Sequence, residues 1–466
     1  MKLAEASLKL SIARFGNAVL ALVGIAYFAR EIPQSALGTF FLYQSILQLL
    51  SIPASFGQGG ALIKRLSEDW DRDQFLGSSA VLMIGALTIT GVVVWLIRPF
   101  VNGYFGRELV VWLLPGLLLF RSKKLGFGCL KGELRVGETA DIAFLQKLVW
   151  VVGGATFIGY GLTVLALILS FLLGNAIACV LAFSRVSTSF GRPSLNHARS
   201  LVDYWKWSSV SFVDGYLYNW ADVTLLGYFV GPSVVAAYEI AWRLASFAMI
   251  LTKSVETTLL PQISNIHAGD DIGAIREQVS DGLFLSFLLV LPITAGALAI
   301  GEPLLTIIFG DGYGIALLPL FVLLLGKEVE VVDSVYKNVL SGVDKPRFRA
   351  IAAVVSGIGN LALNLLLIPL YGAVGAAVAT SLAFTLSTAI ILYYARIEME
   401  LIFPVPRVGG LGFSAAVMGV IVYAFTIMFP IQSIYGLSAA IVLGLGAYVI
   451  QCAVYPPLRR QFKTIV

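Results

Sequence analysis

Charged residues are scarce in this 466-residue chain: Asp, Glu, Lys and Arg together make up 13%, whereas hydrophobic residues make up 58%. Soluble globular proteins carry about 25% charged residues, so the composition argues against a soluble protein. There are only two histidines and three cysteines, and Cys129, Cys179 and Cys452 lack the spacing of a metal or redox site. The chain also lacks a GxxxxGK[ST] phosphate loop, which argues against a built-in ATPase motor.

Long apolar stretches, separated by short bursts of charge, make up most of the chain. A membrane-spanning helix needs about 20 mostly apolar residues. Fourteen stretches meet this requirement, at about residues 8–29, 36–56, 76–97, 108–126, 142–160, 162–184, 205–229, 233–258, 281–301, 315–338, 348–369, 373–395, 409–429 and 434–455. We therefore predict an all-α polytopic membrane protein with about 14 transmembrane helices.

The basic residues are distributed unevenly between the two sides of the predicted membrane. With the N-terminus in the cytoplasm, only Arg30, Arg98 and Arg107 fall on the opposite side, and four lie inside predicted spans: Arg14, Arg243, Lys253 and Lys327. All others lie in cytoplasmic segments, of which residues 121–147 form the most basic loop. The positive-inside rule then predicts a protein of the cytoplasmic membrane with both termini in the cytoplasm. The net charge of +5 is explained by contact with anionic membrane lipids rather than with nucleic acid.

A weak internal repeat divides the chain. Tyr27-Phe28, at the end of the first predicted span, is matched by Tyr228-Phe229 at the end of the seventh. An even number of helices per half makes such a repeat parallel, related by an axis along the membrane normal. We predict two pseudo-symmetric six-helix bundles around a central cavity, residues 1–200 and 201–400, followed by residues 401–466 as two additional transmembrane helices and a cytoplasmic tail.

Polar side chains recur at helical spacing on several of these apolar spans. A Lys or Arg at the centre of a lone membrane helix costs about 2.5–3.5 kcal/mol, so such residues are expected to face water or a partner. Stripes of this kind line the wall of a water-filled cavity, and the candidate substrate-binding residues are Arg14, Asn17, Gln44, Gln48, Glu239, Arg243, Lys253 and Lys327. The alternative is that the charges pair within the protein, for example Glu239 with Arg243 or Lys327 with Glu330, and hold helices together.

Cations in a cavity suit an anionic cargo. Arg binds phosphate or pyrophosphate through a bidentate fork. Arg14 has no acidic residue on its own predicted span, which makes it the best candidate for an anion contact. An anion leaving a cell with a negative interior moves downhill by about 2.3 kcal/mol per charge per 100 mV.

A sequence signature adds a family resemblance. The segment 360–380, NLALNLLLIPLYGAVGAAVAT, resembles a signature of the multidrug/oligosaccharidyl-lipid/polysaccharide exporter superfamily. Residues 238–244 and 36–40 are most similar to its polysaccharide (O-antigen-type) flippase branch. This resemblance implies a transporter rather than an enzyme, which moves a lipid-linked oligosaccharide by alternating access. It also implies that fourteen spans are usual and that basic residues on the first and eighth spans, here Arg14 and Arg243, line the headgroup cavity.

The resemblance also implies a candidate cation site, because some relatives bind sodium in the C-terminal half. The residues at comparable places are Asp214, Asp222, Asn360, Asn364 and Thr380, with Na⁺ expected at Asp222, Asn360, Asn364 and Thr380. Where the family often has an acid, this chain has Asn364, which would weaken sodium binding. The coupling ion is thus left open between Na⁺, H⁺ and none, and Asn360 and Asn364 can equally hydrogen-bond between helices.

Two other functions compete with a glycan flippase. A cation-coupled multidrug exporter of the same superfamily should favour buried acids over the bases seen here. A membrane glycan polymerase or transferase should place catalytic residues in sizeable outer loops, and the predicted outer loops are short. We expect the protein to be a monomer that contacts membrane lipids and glycan-assembly enzymes. We expect no cofactor other than a coupling ion.

Overall fold

The computed structural model describes residues 2–56, 59–68, 71–267, 269, 271–399 and 403–454, without the side chains of residues 2–14, 207–215, 217 and 218. Nearly all of this chain is helical. The helices are α1 (Lys2–Glu31), α2 (Gln34–Ser51), α3 (Gly60–Ser67), α4 (Arg72–Leu96), α5 (Arg98–Phe105), α6 (Val110–Gly132), α7 (Val136–Gly159), α8 (Val164–Arg185), α9 (Leu195–Phe229), α10 (Pro232–Phe247), α11 (Ile250–His267), α12 (Ile272–Phe309), α13 (Leu317–Gly342), α14 (Pro346–Met399), α15 (Val405–Met428) and α16 (Ile434–Val454). The chain divides into two compact units, residues 1–236 and residues 237–466.

The membrane-protein class is confirmed, but the count of fourteen spans is not. Within the described residues, seven helices are long and apolar enough to cross a membrane, or ten if each of three bent helix pairs is one span. Helix α13 fails this test because Lys327, Glu328 and Glu330 lie in its middle. The pair α10 and α11, which covers the predicted eighth span, bends by 50°. A helix that carries a polar stripe or a break does not qualify as a span on length and composition alone, and the count of fourteen stays a prediction.

Aromatic side chains form part of the core of the first unit. The Trp150 ring lies 5.1 Å from the Phe28 ring and 5.6 Å from the Phe40 ring, measured between ring centres. These rings join α1, α2 and α7. Gly38 of α2 packs directly on the carbonyl group of Pro232 at the start of α10, where any Cβ atom would collide. A glycine is required at this contact because the two backbones touch.

Helix α14 of the second unit is broken into two limbs at Gly372, whose φ is 57° and ψ is −130°. Residues 20 positions apart in a straight helix are separated by about 30 Å. However, the Asn360 amide donates to the Thr380 hydroxyl at 3.2 Å, so the limbs fold back on each other as a hairpin. They correspond to the predicted eleventh and twelfth spans.

The turns that follow α6 and α13 share one geometry, with a non-glycine residue at positive φ. Leu134 follows α6 with φ 61°, and Asp344 follows α13 with φ 59°. In both turns the residue directly before the following helix donates its backbone N–H to a carbonyl five residues earlier at 2.8 Å, Arg135 N to Leu130 O and Lys345 N to Leu340 O. Helices α6–α7 and α13–α14 are thus connected by the same kind of turn.

The predicted basic loop at residues 121–147 is wrong in extent. Helix α6 continues to Gly132 and α7 begins at Val136, so only three residues connect them. Arg121 and Lys123 are buried within α6 instead of lying in solvent. The helix continues because Leu125, Cys129 and Leu130 keep an apolar face at helical spacing, and all three are buried.

Candidate functional site

Glu239 and Arg243 form an ion pair on α10. An Nη atom of Arg243 lies 2.7 Å from a carboxylate oxygen of Glu239, at the i,i+4 spacing of one helical face. The Glu239 side chain is 2% exposed and that of Arg243 is 28% exposed. The carboxylate is therefore enclosed, whereas the Arg243 side chain is partly exposed.

Lys253 lies beyond the bend, on α11, and is the most accessible of the predicted cations with described side chains. Its side chain is 53% exposed, and its ammonium group lies 3.0 Å from Glu256. Lys253 is also attracted electrostatically to Glu330 of α13, whereas Arg349 of α14 repels it. An incoming anion can approach Lys253 without first separating a buried ion pair.

Lys327 on α13 is enclosed. Its side chain is 3% exposed and lies 2.6 Å from Glu330. Its ammonium group also lies 3.9 Å from the centre of the Trp242 ring and 5.1 Å from that of Phe384. These contacts tie α13 to α10 and α14, and they leave no room for a ligand at Lys327 in this conformation.

The paired charges continue along α13 and make one network in the second unit. Lys337 lies 2.6 Å from Asp333, whose other carboxylate oxygen accepts a 2.7 Å hydrogen bond from Ser387. Glu330 interacts electrostatically with Lys253, Lys327 and Lys337. We call this the unit-2 charge network; its members are Lys253, Glu256, Lys327, Glu330, Asp333 and Lys337. Both pairings that the sequence left as alternatives, Glu239 with Arg243 and Lys327 with Glu330, are present.

The candidate residues of the first unit are less clearly placed. The side chains of Arg14 and Asp214 lie outside the described residues. Asn17 is half-buried on α1, and Gln44 and Gln48 are half-buried on α2 at i,i+4 spacing. Asp222 is buried in α9.

The three candidate cation ligands of the second unit do lie together. The Asn364 amide donates to the Asn360 carbonyl oxygen at 3.1 Å, and Asn360 in turn donates to Thr380. All three side chains are buried. Their oxygen atoms are neutral, two of them already accept these bonds, and Asp222 belongs to the other unit. Within the described residues, no group of three or more His, Cys, Asp or Glu is placed to hold a metal ion.

A second polar cluster, missed by the sequence analysis, lies inside the first unit. Lys123 donates to the side-chain oxygen of Gln146 at 3.1 Å, and Gln146 donates to Asn175 at 3.2 Å. The chain of contacts joins α6, α7 and α8. The sequence did not indicate this cluster, because the charged residues around Lys123 lower the local hydropathy and led to the prediction of a loop.

A family model described as "Polysaccharide biosynthesis protein" matches residues 27–316. The chain belongs to this family. It is also 35% identical, over 100% of its length and 99% of the relative's, to a protein of Haloferax volcanii described as a probable low-salt glycan biosynthesis flippase. A second protein of that archaeon, described as a probable flippase, is 27% identical over 87% of this chain and 86% of its own length.

Solved structures share the fold of this family member. The lipid II flippase MurJ, in an inward closed conformation, superposes with a TM-score of 0.82 over 96% of this chain and 98% of its own, at 16% identity. An inward-facing multidrug transporter of the MATE family gives a TM-score of 0.68 over 85% and 98%, at 14% identity. The superfamily assignment made from residues 360–380 is thus confirmed, as are the multi-pass membrane protein and the transporter class.

Proposed function

We propose that this protein is a flippase for a lipid-linked oligosaccharide, carried on polyprenyl or dolichyl phosphate or pyrophosphate. It moves the headgroup across the cytoplasmic membrane by alternating access, for polysaccharide or glycoconjugate biosynthesis. The observation that carries this proposal is the full-length similarity to a probable glycan biosynthesis flippase. The MurJ-like fold and the basic residues of α10 and α11 support it.

The described geometry suggests how the headgroup is recognised. Arg243 is oriented by its ion pair with Glu239, and its side chain is 28% exposed. The planar guanidinium group suits bidentate contacts with a phosphate that approaches from this exposed side. Lys253 adds a compact, accessible charge on the next helix. The buried Lys327–Glu330 pair of α13 serves a different purpose. Lys327 contacts Trp242 of α10, and Glu330 interacts electrostatically with Lys253 of α11, so the pair connects α13 to the helices that carry these two cations.

The energy source is a separate proposal. The membrane potential favours outward movement of an anion by about 2.3 kcal/mol per charge per 100 mV. The side-chain oxygens of Asn360 and Thr380 already accept hydrogen bonds from neighbouring amides, and the set of Asn360, Asn364 and Thr380 includes no carboxylate, which does not favour a Na⁺ site. We therefore derive no transport step through sodium. Transport rates in Na⁺, in K⁺ and with an imposed proton gradient distinguish Na⁺ coupling, H⁺ coupling and neither.

The orientation and partners are also proposals. Both termini are placed in the cytoplasm by the distribution of Lys and Arg, and the protein works as a monomer beside glycan-assembly enzymes. Cysteines introduced near either terminus should react with an impermeant thiol reagent only after the membrane is opened. Labelling of intact cells at either end would overturn the orientation.

The direct test of the function uses purified protein in liposomes with a fluorescent polyprenyl-phosphate sugar. Headgroup movement is followed by an impermeant quencher, and efflux of a cationic aromatic dye is measured in parallel. A flippase speeds movement of the lipid-linked sugar and leaves the dye unaffected. Dye efflux without lipid movement would instead identify a multidrug exporter.

A further inference from the structure

A groove of about 520 Å³ lies in the first unit between α3 and the beginning of α9. Its α9 residues follow the spacing of one helical face. The lining residues are Arg65, Asn196, Arg199, Ser200, Asp203 and Tyr204. We propose that this groove is a docking site for the phosphorylated sugar headgroup of the carrier lipid, separate from the unit-2 charge network. This inference rests on the proposed flippase function.

The walls of the groove are fixed by contacts that do not involve its lining atoms. The Trp205 indole donates to the Ser55 hydroxyl at 3.2 Å, and its ring lies 4.7 Å from the Phe56 ring. On the other side, His197 contacts Asp71 at 3.3 Å. The start of α9 is therefore attached to the segment that follows α2 and to the residue before α4, so the groove exists before any ligand binds.

Positive charge dominates the groove. Arg65 and Arg199 line it, and Lys64 lies 5.4 Å from the centre of the Tyr204 ring. Arg65 pairs with Glu68 at 2.8 Å, and Asp203 pairs with Lys206 at 2.9 Å and interacts electrostatically with Arg199. The basic side chains of Lys64, Arg65, Arg199 and Lys206 outnumber the two acids that they contact. The first turn of a helix adds a partial positive charge, so the groove attracts a phosphate.

The rest of the lining suits a sugar rather than an ordinary phospholipid. Asn196, Ser200 and Asp203 offer an amide, a hydroxyl and a carboxylate, which can bond with several sugar hydroxyls. Asp203 would repel a purely anionic headgroup. Tyr204 is 39% exposed as a residue, and its aromatic ring provides a flat apolar surface against which a sugar ring can pack.

The position of the groove along α9 agrees with a lipid-borne ligand. The predicted seventh span begins at about residue 205, and the groove residues of α9 come immediately before it. This level corresponds to lipid phosphates on the side predicted to be cytoplasmic, where lipid-recognising basic pockets occur. A headgroup can dock there while its lipid tail stays in the bilayer.

The test measures binding of farnesyl-phosphoryl glucose to the full chain in neutral phosphatidylcholine nanodiscs. We expect Arg199→Gln and Tyr204→Ala each to weaken binding about tenfold, equivalent to about 1.4 kcal/mol. Tyr204→Phe keeps the ring and should bind like the wild type. Arg192→Gln removes an exposed charge outside the groove lining and is the matched control. Unchanged binding by both Arg199→Gln and Tyr204→Ala, with melting temperatures preserved, would overturn the proposal.

Two further probes separate the ligand sources. Farnesyl phosphate without sugar and octyl glucoside without phosphate should each bind at least about tenfold more weakly than the combined probe. Equally strong binding of phosphatidylglycerol would make this a general anionic-lipid site and would contradict the proposal. Binding that is lost in Arg243→Ala but kept in Arg199→Gln would locate the probe at α10 and would contradict the groove. If the probe binds in the groove but the protein moves no lipid-linked sugar, the proposed function is wrong and the groove proposal stands. If the protein moves the lipid normally but the groove binds no probe, the groove proposal is wrong and the proposed function stands.

Discussion

The ammonium group of Lys327 lies 3.9 Å from the centre of the Trp242 ring and 2.6 Å from the carboxylate of Glu330. The ring and the carboxylate enclose a cation that would be costly in a bilayer on its own. Removing one partner of a buried ion pair leaves the other charge uncompensated, which costs about 3–5 kcal/mol, whereas replacing both is often neutral. This geometry makes the pair structural.

Lys327→Ala should therefore lower the melting temperature of the detergent-solubilised protein more than the double variant Lys327→Met/Glu330→Gln does. In the double variant, no carboxylate is left without its nearest cation. Lys206→Ala, at an exposed pair, is the control and should have little effect. If the double variant is as unstable as Lys327→Ala, the pairing does not explain the stability of this region.

The turn after α6 gives a prediction about pH. Glu133 accepts hydrogen bonds from the Ser187 and Thr188 backbones, from the Thr188 hydroxyl and from Arg135. Desolvation alone raises the pKa of Glu133, but these hydrogen bonds outweigh it and hold the pKa below its usual value. A depressed carboxyl pKa means stability that is present above the ordinary pKa near 4.5 and is lost as pH falls through the lower folded-state value.

Below about pH 4.5, the Ser187 and Thr188 amides should lose protection from hydrogen exchange as Glu133 becomes protonated. Glu133→Gln should remove this pH dependence, because the amide side chain does not titrate. The two proteins are compared at each pH, which cancels the intrinsic pH dependence of exchange. Equal protection factors for wild type and Glu133→Gln across the whole range would contradict the assignment.

Leu134 offers a test of backbone strain. It has φ 61° and is 82% exposed, so it occupies the left-handed region without a packing contact to offset the cost. Glycine adopts this conformation freely, and the penalty for other residues is about 1–2 kcal/mol. Leu134→Gly should raise the melting temperature slightly, because the relief of backbone strain exceeds the entropy that glycine adds to the unfolded chain. Leu134→Val should lower the melting temperature. A lower melting temperature for Leu134→Gly would show that the turn is not strained.

The helices and the superfamily could be predicted from sequence because apolar length and the segment 360–380 are local signals. The Glu239–Arg243 pair and the grouping of Asn360 with Asn364 were also predictable, since each follows helical spacing. The cation–π contact of Lys327 with Trp242 was not, because the two residues are far apart in sequence. The buried Lys123 was missed because hydropathy assigns a lysine to water, whatever partner it finds in the fold.

The most direct measurement is the rate of lipid-linked sugar translocation in liposomes for Arg243 variants that insert and fold normally. Arg243→Ala should reduce the rate by at least about tenfold, and Arg243→Lys should restore only part of it, because a single ammonium group cannot form the bidentate contact. Arg98→Ala, an arginine that lies over Trp95, is the control and should translocate at the wild-type rate. Near-normal translocation by Arg243→Ala would contradict recognition of a phosphorylated headgroup by the cations of α10 and α11.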